Sequence, residues 1–316
     1  MRRFCVGLGA ALLIFAGASA RADEAFVTEQ GGDSLAVLDL STGKVAARLA
    51  IGGRPAGIAM SPDGRFAYAT STEGKFVSIV DAAERKLVAK IDMPDTPLGI
   101  AVSPDGKFLY VSGFFQPFLY KLDLARRAIV ARAEIGASPS GVAVTPDGAL
   151  IAVSARDDDA LTLVDAARFA PVAKVPVGRH PFGVVIDAEG ARAYTANVES
   201  DNVSVVDLKA RTRIGDVATG QRPYVVALAD GRGFVTNQYS GTVSTFDLAT
   251  LKPMGGVEVG DHPEGVEASA DGRTLYVVNW GSNDVYAIDA RTLKIENRFG
   301  VGDGPRAFGL FLRRTP

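Results

Sequence analysis

The chain has 316 residues, 47% of them hydrophobic, with 35 glycines and 16 prolines spread along its length, a composition of many short strands and turns rather than of disorder. Residues 1–22 hold Arg2, Arg3 and Arg21 and no acid, so the remainder carries 31 basic against 36 acidic side chains, net −5, and has no general pull toward nucleic acid or anionic membrane. The only cysteine, Cys5, lies in that first segment, so a chain without it forms no disulfide, thiolate nucleophile, iron–sulfur cluster or Cys-x-x-Cys-His haem attachment.

Residues 1–22 read as a secretory signal peptide: a basic start, an apolar stretch from Phe4 to Gly17, and small residues around Ala18-Ser19-Ala20 and Ala20-Arg21-Ala22. The stretch is shorter than the ~20 residues that span a bilayer, and no later segment is long and apolar enough to do so. The expected location is therefore the periplasm, with residues 23–316 as one domain.

From there the chain repeats. The prolines Pro55, Pro97, Pro139, Pro181, Pro223, Pro263 and Pro305 follow one another at steps of 42, 42, 42, 42, 40 and 42 residues. A second marker, the aspartate that ends a hydrophobic run, recurs at Asp39, Asp81, Asp123, Asp165, Asp207, Asp247 and Asp289 with the same steps. Each unit reads as four strands. The first follows the proline (Gly57 to Met60) and ends in an Asp-Gly turn such as Asp63-Gly64, where glycine accepts positive φ. The second is aromatic and β-branched (Tyr68 to Thr70), the third alternates (Val203 to Asp207), and the fourth (Lys86 to Ile91) closes the unit.

Four strands per repeat of about 40 residues describe a β-propeller blade. The amino-terminal part supplies only strands two to four (Phe26 to Thr28, Leu35 to Asp39, Lys44 to Ile51), and the carboxy-terminal part only a first strand, Ala307 to Leu312. Together, 26–51 and 305–312 make a seventh blade and remove the open edges of a linear array. The expected fold is all-β, a seven-bladed propeller closed by its two ends. Small residues such as Gly57, Gly99 and Gly141 in the first strands fit the crowding of blades near an axis.

The strand endings Tyr194-Thr195-Ala196-Asn197, Phe234-Val235-Thr236-Asn237 and Tyr276-Val277-Val278-Asn279 resemble the signature of the YVTN-repeat β-propellers, as do the Ser-Pro-Asp-Gly turns. The resemblance covers about 26–312 and implies the propeller fold, with no single activity. The closing Gly304-Pro305-Arg306-Ala307-Phe308-Gly309 is similar to exported propellers associated with PQQ-dependent alcohol catabolism, which implies an accessory partner of a quinoprotein dehydrogenase.

Ligand chemistry is expected at the mouth of the channel, lined by the loops before each first strand and between strands two and three. Equivalent positions place Arg54, His180, Arg222 and His262 just before the prolines, and Phe182, Tyr224, Glu264 and Arg306 just after them. One reading is an anion site made by Arg54, Arg222 and Arg306 with Phe182 and Tyr224 as stacking surfaces. The other pairs those arginines with Glu73, Asp157, Asp158, Glu199, Asp201 and Asp284. His180 and His262 could hold a divalent metal only if they converged with Glu264 or Glu267, and no cofactor is expected. Glu267 stands where other blades carry Ala59, Ala101, Ala143, Val185, Ala227 and Gly309; such a carboxylate needs a pairing partner, water or a raised pKa. Phe114, Phe115 and Phe118 form a docking patch, a hydrophobic lid or packing under the rim, and Trp280 is a further rim aromatic. No nucleophile or dinucleotide motif appears. The expected function is recognition of a small anionic ligand or periplasmic protein at the rim, without catalysis. The alternatives are a metal- or carboxylate-dependent lactonase or lyase, and the quinoprotein accessory role.

Overall fold

The computed structural model describes residues 24–314; the export segment read from residues 1–22 lies outside them. Seven four-stranded antiparallel blades form a closed ring, each running from an innermost strand outward. Blade one, for example, comprises Pro55–Met60, Phe66–Ser71, Phe76–Asp81 and Lys86–Asp92. Blades two to six begin at Pro97, Pro139, Pro181, Pro223 and Pro263. Among the described residues the one helical element is a single 3-10 turn, Arg156–Asp158, and no helix is long and apolar enough to cross a membrane.

The two sequence markers have local physical causes. The Oδ1 of the aspartate closing strand three accepts from backbone N–H groups two and three residues on, as Asp39 does from Ser41 and Thr42 and Asp289 from Arg291 and Thr292. These bonds, led by the Ser41 hydroxyl, hold the Asp39 carboxyl down at about 2. In the Ser-Pro-Asp-Gly turn, Ser61 Oγ donates to Asp63 and accepts from Phe66 N–H, and Gly64 adopts φ +66°. Ser103/Asp105, Thr145/Asp147 and Ser269/Asp271 repeat the pairing.

The blades are joined at the axis by a second repeated device. After each leading proline the pairing of strands one and two shifts, as between Pro55 and Ile58 or Pro97 and Ile100. In blades one, two, five and seven the N–H of the residue two places after the proline is left out of the ladder, and a hydroxyl on strand two takes it. Thr70 Oγ1 accepts from Gly57 N at 2.8 Å and donates to the Leu98 carbonyl of the next blade at 2.9 Å. Ser112 bridges Gly99 to Ser140, Thr236 bridges Val225 to Glu264, and Thr28 bridges Ala307 to Ala56 in the same way. Gly57 and Gly99 are required there because a Cβ would run into the Leu98 or Ser140 carbonyl of the neighbouring blade. The crowding expected near the axis is thus blade against blade.

Closure follows the expected pairing of the two ends, with one difference. Instead of one strand from Ala307 to Leu312, two short strands form. Phe308–Leu310 runs parallel to Pro55–Met60 of blade one, and Leu312–Arg313 pairs antiparallel with Glu24–Glu29. Phe311 lies between them, fully buried, its carbonyl still accepting from Phe26 N–H. Ion pairs hold the seam. Glu24 takes Arg85 and Arg313, each at 2.7 Å, and fully buried Glu29 takes Arg48, Ser34 and the Gly302 N–H.

Candidate binding face at the channel mouth

Six of the seven prolines open their strands at one end of the ring, where Pro305 bridges to Glu29, and the loop preceding each proline is tied to the loop between strands two and three. The residue just after strand two donates its N–H to the carbonyl of the residue just before the proline. The seven donors are Thr72, Phe114, Arg156, Val198, Gln238, Trp280 and Gln30. Sequence reading places only Phe114 and Trp280 in this second tier. The signal for the others is repeat position alone.

The residues before the prolines are held in a left-handed conformation: Arg54, Ser138, His180, Arg222 and His262 have φ between +49° and +55°. At four interfaces an Asp or Asn of the previous blade caps the N–H of this residue. The pairs are Asp33–Arg54, Asp159–His180, Asp201–Arg222 and Asn283–Gly304, at 2.7–2.9 Å. Asp201 therefore meets the backbone of Arg222 rather than its guanidinium.

The residues after the prolines converge across the axis. Phe182 lies 4.3 Å from Tyr224 and 4.9 Å from Phe308, ring centroid to centroid, and Leu98 and Ala56 join the same buried cluster. Aromatic rings from blades four, five and seven thus plug the channel beneath its mouth. Phe182 and Tyr224 are structural members of that plug, each only 8% exposed. On its polar side Arg306 forms a two-bond pair with Glu264 (2.6 and 3.1 Å) and donates to the Tyr224 hydroxyl at 2.8 Å, while Gln238 Nε2 gives Glu264 Oε1 a further bond at 2.7 Å. Burial pushes the Tyr224 hydroxyl well above the usual tyrosine range, against the opposing pull of Arg306, Arg156 and Arg222. Burial alone would make Arg306 easier to deprotonate, but Tyr224 and Glu264 more than offset it and hold the guanidinium charged.

The expected rim set is therefore divided. Glu264 and Arg306 neutralise each other. Arg54 reaches Glu73 at 3.4 Å between exposed side chains. His180 Nδ1 faces Glu199 at 2.8 Å, whereas His262 Nδ1 bonds Asp261 at 2.8 Å. The two histidines do not converge with Glu264 or Glu267 on a common centre, and no group of three metal-ligating side chains occurs among the described residues. Glu267 lies toward the opposite end of the channel.

One exposed strip remains. The Arg222 guanidinium lies 4.7 Å over the ring of Tyr239, which meets the His262 ring edge-on at 6.0 Å, and His262 in turn meets Trp280 at 5.8 Å. Tyr239 is 60% exposed and Trp280 39%. Arg222 has no carboxylate within 4.0 Å among the described residues, and its Nε is buried without a hydrogen-bond partner. On the far side of the mouth Phe114 packs against the plug cluster, and Phe115 is 72% exposed. Packing under the rim thus describes Phe114, while Phe115 stands in solvent. Arg156 and Tyr239 were not legible as site residues, since each is a single blade's variant at a loop position of no fixed chemistry.

No family model matches the chain, and no curated protein sequence matches it. Solved structures do. Kuenenia stuttgartiensis hydrazine synthase matches with a TM-score of 0.76 at 20% identity, over 90% of this chain and all of that one. A functionally unknown protein from Desulfotomaculum acetoxidans matches with a TM-score of 0.80 at 14% identity, over 90% of this chain and 98% of that one. The dihydro-heme d1 dehydrogenase NirN in complex with DHE matches with a TM-score of 0.67 at 19% identity, over 90% and 74%. Likeness at such identities reaches the fold: the chain is a seven-bladed β-propeller.

Proposed function

We propose that this protein is a periplasmic binding propeller whose mouth recognises an anionic group, carried by a small ligand or by a protein partner, on the strip Arg222–Tyr239–His262–Trp280. The observation that carries the reading is the state of Arg222. Its guanidinium is fixed on an aromatic face and has no carboxylate of its own, whereas Arg54, Arg156 and Arg306 have acid partners and Arg179 donates to the Glu199 carbonyl. Arginine, tyrosine and tryptophan are also the side chains over-represented at the energetic centres of protein interfaces. The arrangement offers positioned donors and flat apolar surface. The basic start and apolar stretch within residues 1–22 support export. A propeller of the same fold, the dihydro-heme d1 dehydrogenase NirN, was solved in complex with DHE, and ligand binding by this chain is proposed by analogy.

The test titrates the protein with acetate, succinate and citrate by calorimetry, alongside Arg222→Ala. Binding of at least one carboxylate, weakened about tenfold or more in Arg222→Ala, supports a small-ligand site. Absence of carboxylate binding, with a periplasmic protein cross-linking to wild type but not to Arg222→Ala, supports the partner form. Equal behaviour of both proteins in both assays overturns the reading. Fractionation of cells expressing the chain with and without residues 1–22 checks the location.

A further inference from the structure

A cavity lies on the axis below the aromatic plug and opens at the other end of the ring. It has a volume of about 370 Å³, within the range of small-molecule sites. Its wall is built from the innermost strands of successive blades, with Ile100, Val142, Val184, Val226 and Val266 among its lining. Such a sleeve gives water few partners, so apolar matter is favoured inside it. Glu267 and Arg314 stand at its polar end.

Glu267 is 3% exposed and its two oxygens are used unequally. Oε2 accepts the Phe311 and Leu312 N–H groups at 2.6 and 2.8 Å, which fixes the carboxylate against the closing strand. Oε1 receives only a 3.3 Å contact from Arg314, whose side chain is 55% exposed. An ionised carboxylate offers about four acceptor positions, so this one keeps acceptor capacity in an otherwise aliphatic cavity. The strand latch employs one oxygen. The second remains for something else.

We propose that this bore is a binding site for a small alkylammonium compound, its apolar body in the aliphatic sleeve and its protonated amine on Glu267 Oε1 in place of the Arg314 contact. A cation is favoured over an anion because the fixed, buried charge is negative and the positive one is the exposed, displaceable guanidinium. An ion pair formed there is little screened. Burial also raises the Glu267 carboxyl to about 7, against the pull of Arg314 and the two N–H donors, so the charged form is short of stabilisation that an ammonium would supply. The site is independent of the Arg222 strip at the mouth.

The experiment is calorimetric titration of the chain with n-hexylammonium, 1-hexanol and hexanoate, with melting curves recorded for every variant. The expected order is ammonium first, alcohol at least about tenfold weaker, and hexanoate without measurable binding. Glu267→Gln should bring the ammonium down to the level of the alcohol. Ala143→Phe, on a part-exposed wall position that keeps the carboxylate, should abolish binding of both by filling the bore. If Glu267→Gln fails to fold, Ala143→Phe decides alone. Hexanoate binding as tight as the amine, amine affinity unchanged in the bore-filling variant, or no binding of any of the three overturns the proposal.

Discussion

Replacing Thr70 by valine removes one oxygen and almost no volume, at a site with no exposure. The oxygen is shared between two blades: it accepts from Gly57 N–H at 2.8 Å and donates to the Leu98 carbonyl at 2.9 Å. In the variant both backbone groups lose this partner while remaining buried, and each such loss costs about 1–3 kcal/mol. Burial of the added methyl returns about 1 kcal/mol. The net expectation is a destabilisation of about 1–5 kcal/mol, centred near 3, read as a lower urea midpoint with unchanged slope. Thr70→Ser keeps the oxygen and should lose only about 1 kcal/mol, the worth of the missing methyl. Blade six carries Val278 at the same position, so Val278→Thr tests the opposite direction and should be neutral or stabilising. Equal midpoints for Thr70→Val and wild type, or a larger loss in Thr70→Ser than in Thr70→Val, would refute the idea that this hydroxyl joins the blades.

Three further outcomes follow from the axis. Arg306→Ala strands the buried Glu264 carboxylate and should cost about 3–5 kcal/mol by thermal or urea melting, whereas Arg306→Met with Glu264→Gln should recover much of it. Gly99→Ala drives a Cβ into the Ser140 carbonyl of the next blade and should lose about 1–3 kcal/mol, unlike alanine at the exposed Gly300 where nothing lies within 4 Å. The Glu267 carboxyl is raised from 4.5 to about 7, so its protonated form is favoured in the folded state. Its contribution is present below about pH 4.5 and is lost as pH rises through about 7, amounting to roughly 3 kcal/mol. The melting temperature of wild type should therefore fall relative to that of Glu267→Gln as pH rises through that window, and parallel pH profiles would contradict the assignment.

Much of the architecture was legible because the devices that build a blade are local. Asp39 and its six equivalents cap the turn two or three residues ahead, and Ser61 and Asp63 close the turn they stand in, so both leave a fixed spacing in the chain. Counting those spacings yields seven blades, and the incomplete first and last units yield the closure. The glycines of the first strands were legible as signs of crowding, although the carbonyl of the neighbouring blade that crowds them was not. The break at Phe311 was not legible either, since it depends on Glu267, 44 residues away in another blade, binding the backbone there.

The mouth was legible as positions and not as partnerships. Repeat register brings Arg54, Arg222 and Arg306 to one end, but which arginine stays free depends on contacts between blades. Glu264 meets Arg306 across 42 residues and Tyr224 meets it across 82, and Asp201 is engaged by a backbone N–H before any guanidinium reaches it. Turn chemistry and strand alternation act within a few residues, so the order of amino acids determines the number of blades and the placing of the loops. Charge pairing, the aromatic plug and the bore beneath it arise where seven separately specified strands crowd one axis, and only their packing decides which groups are satisfied and which remain available to a ligand.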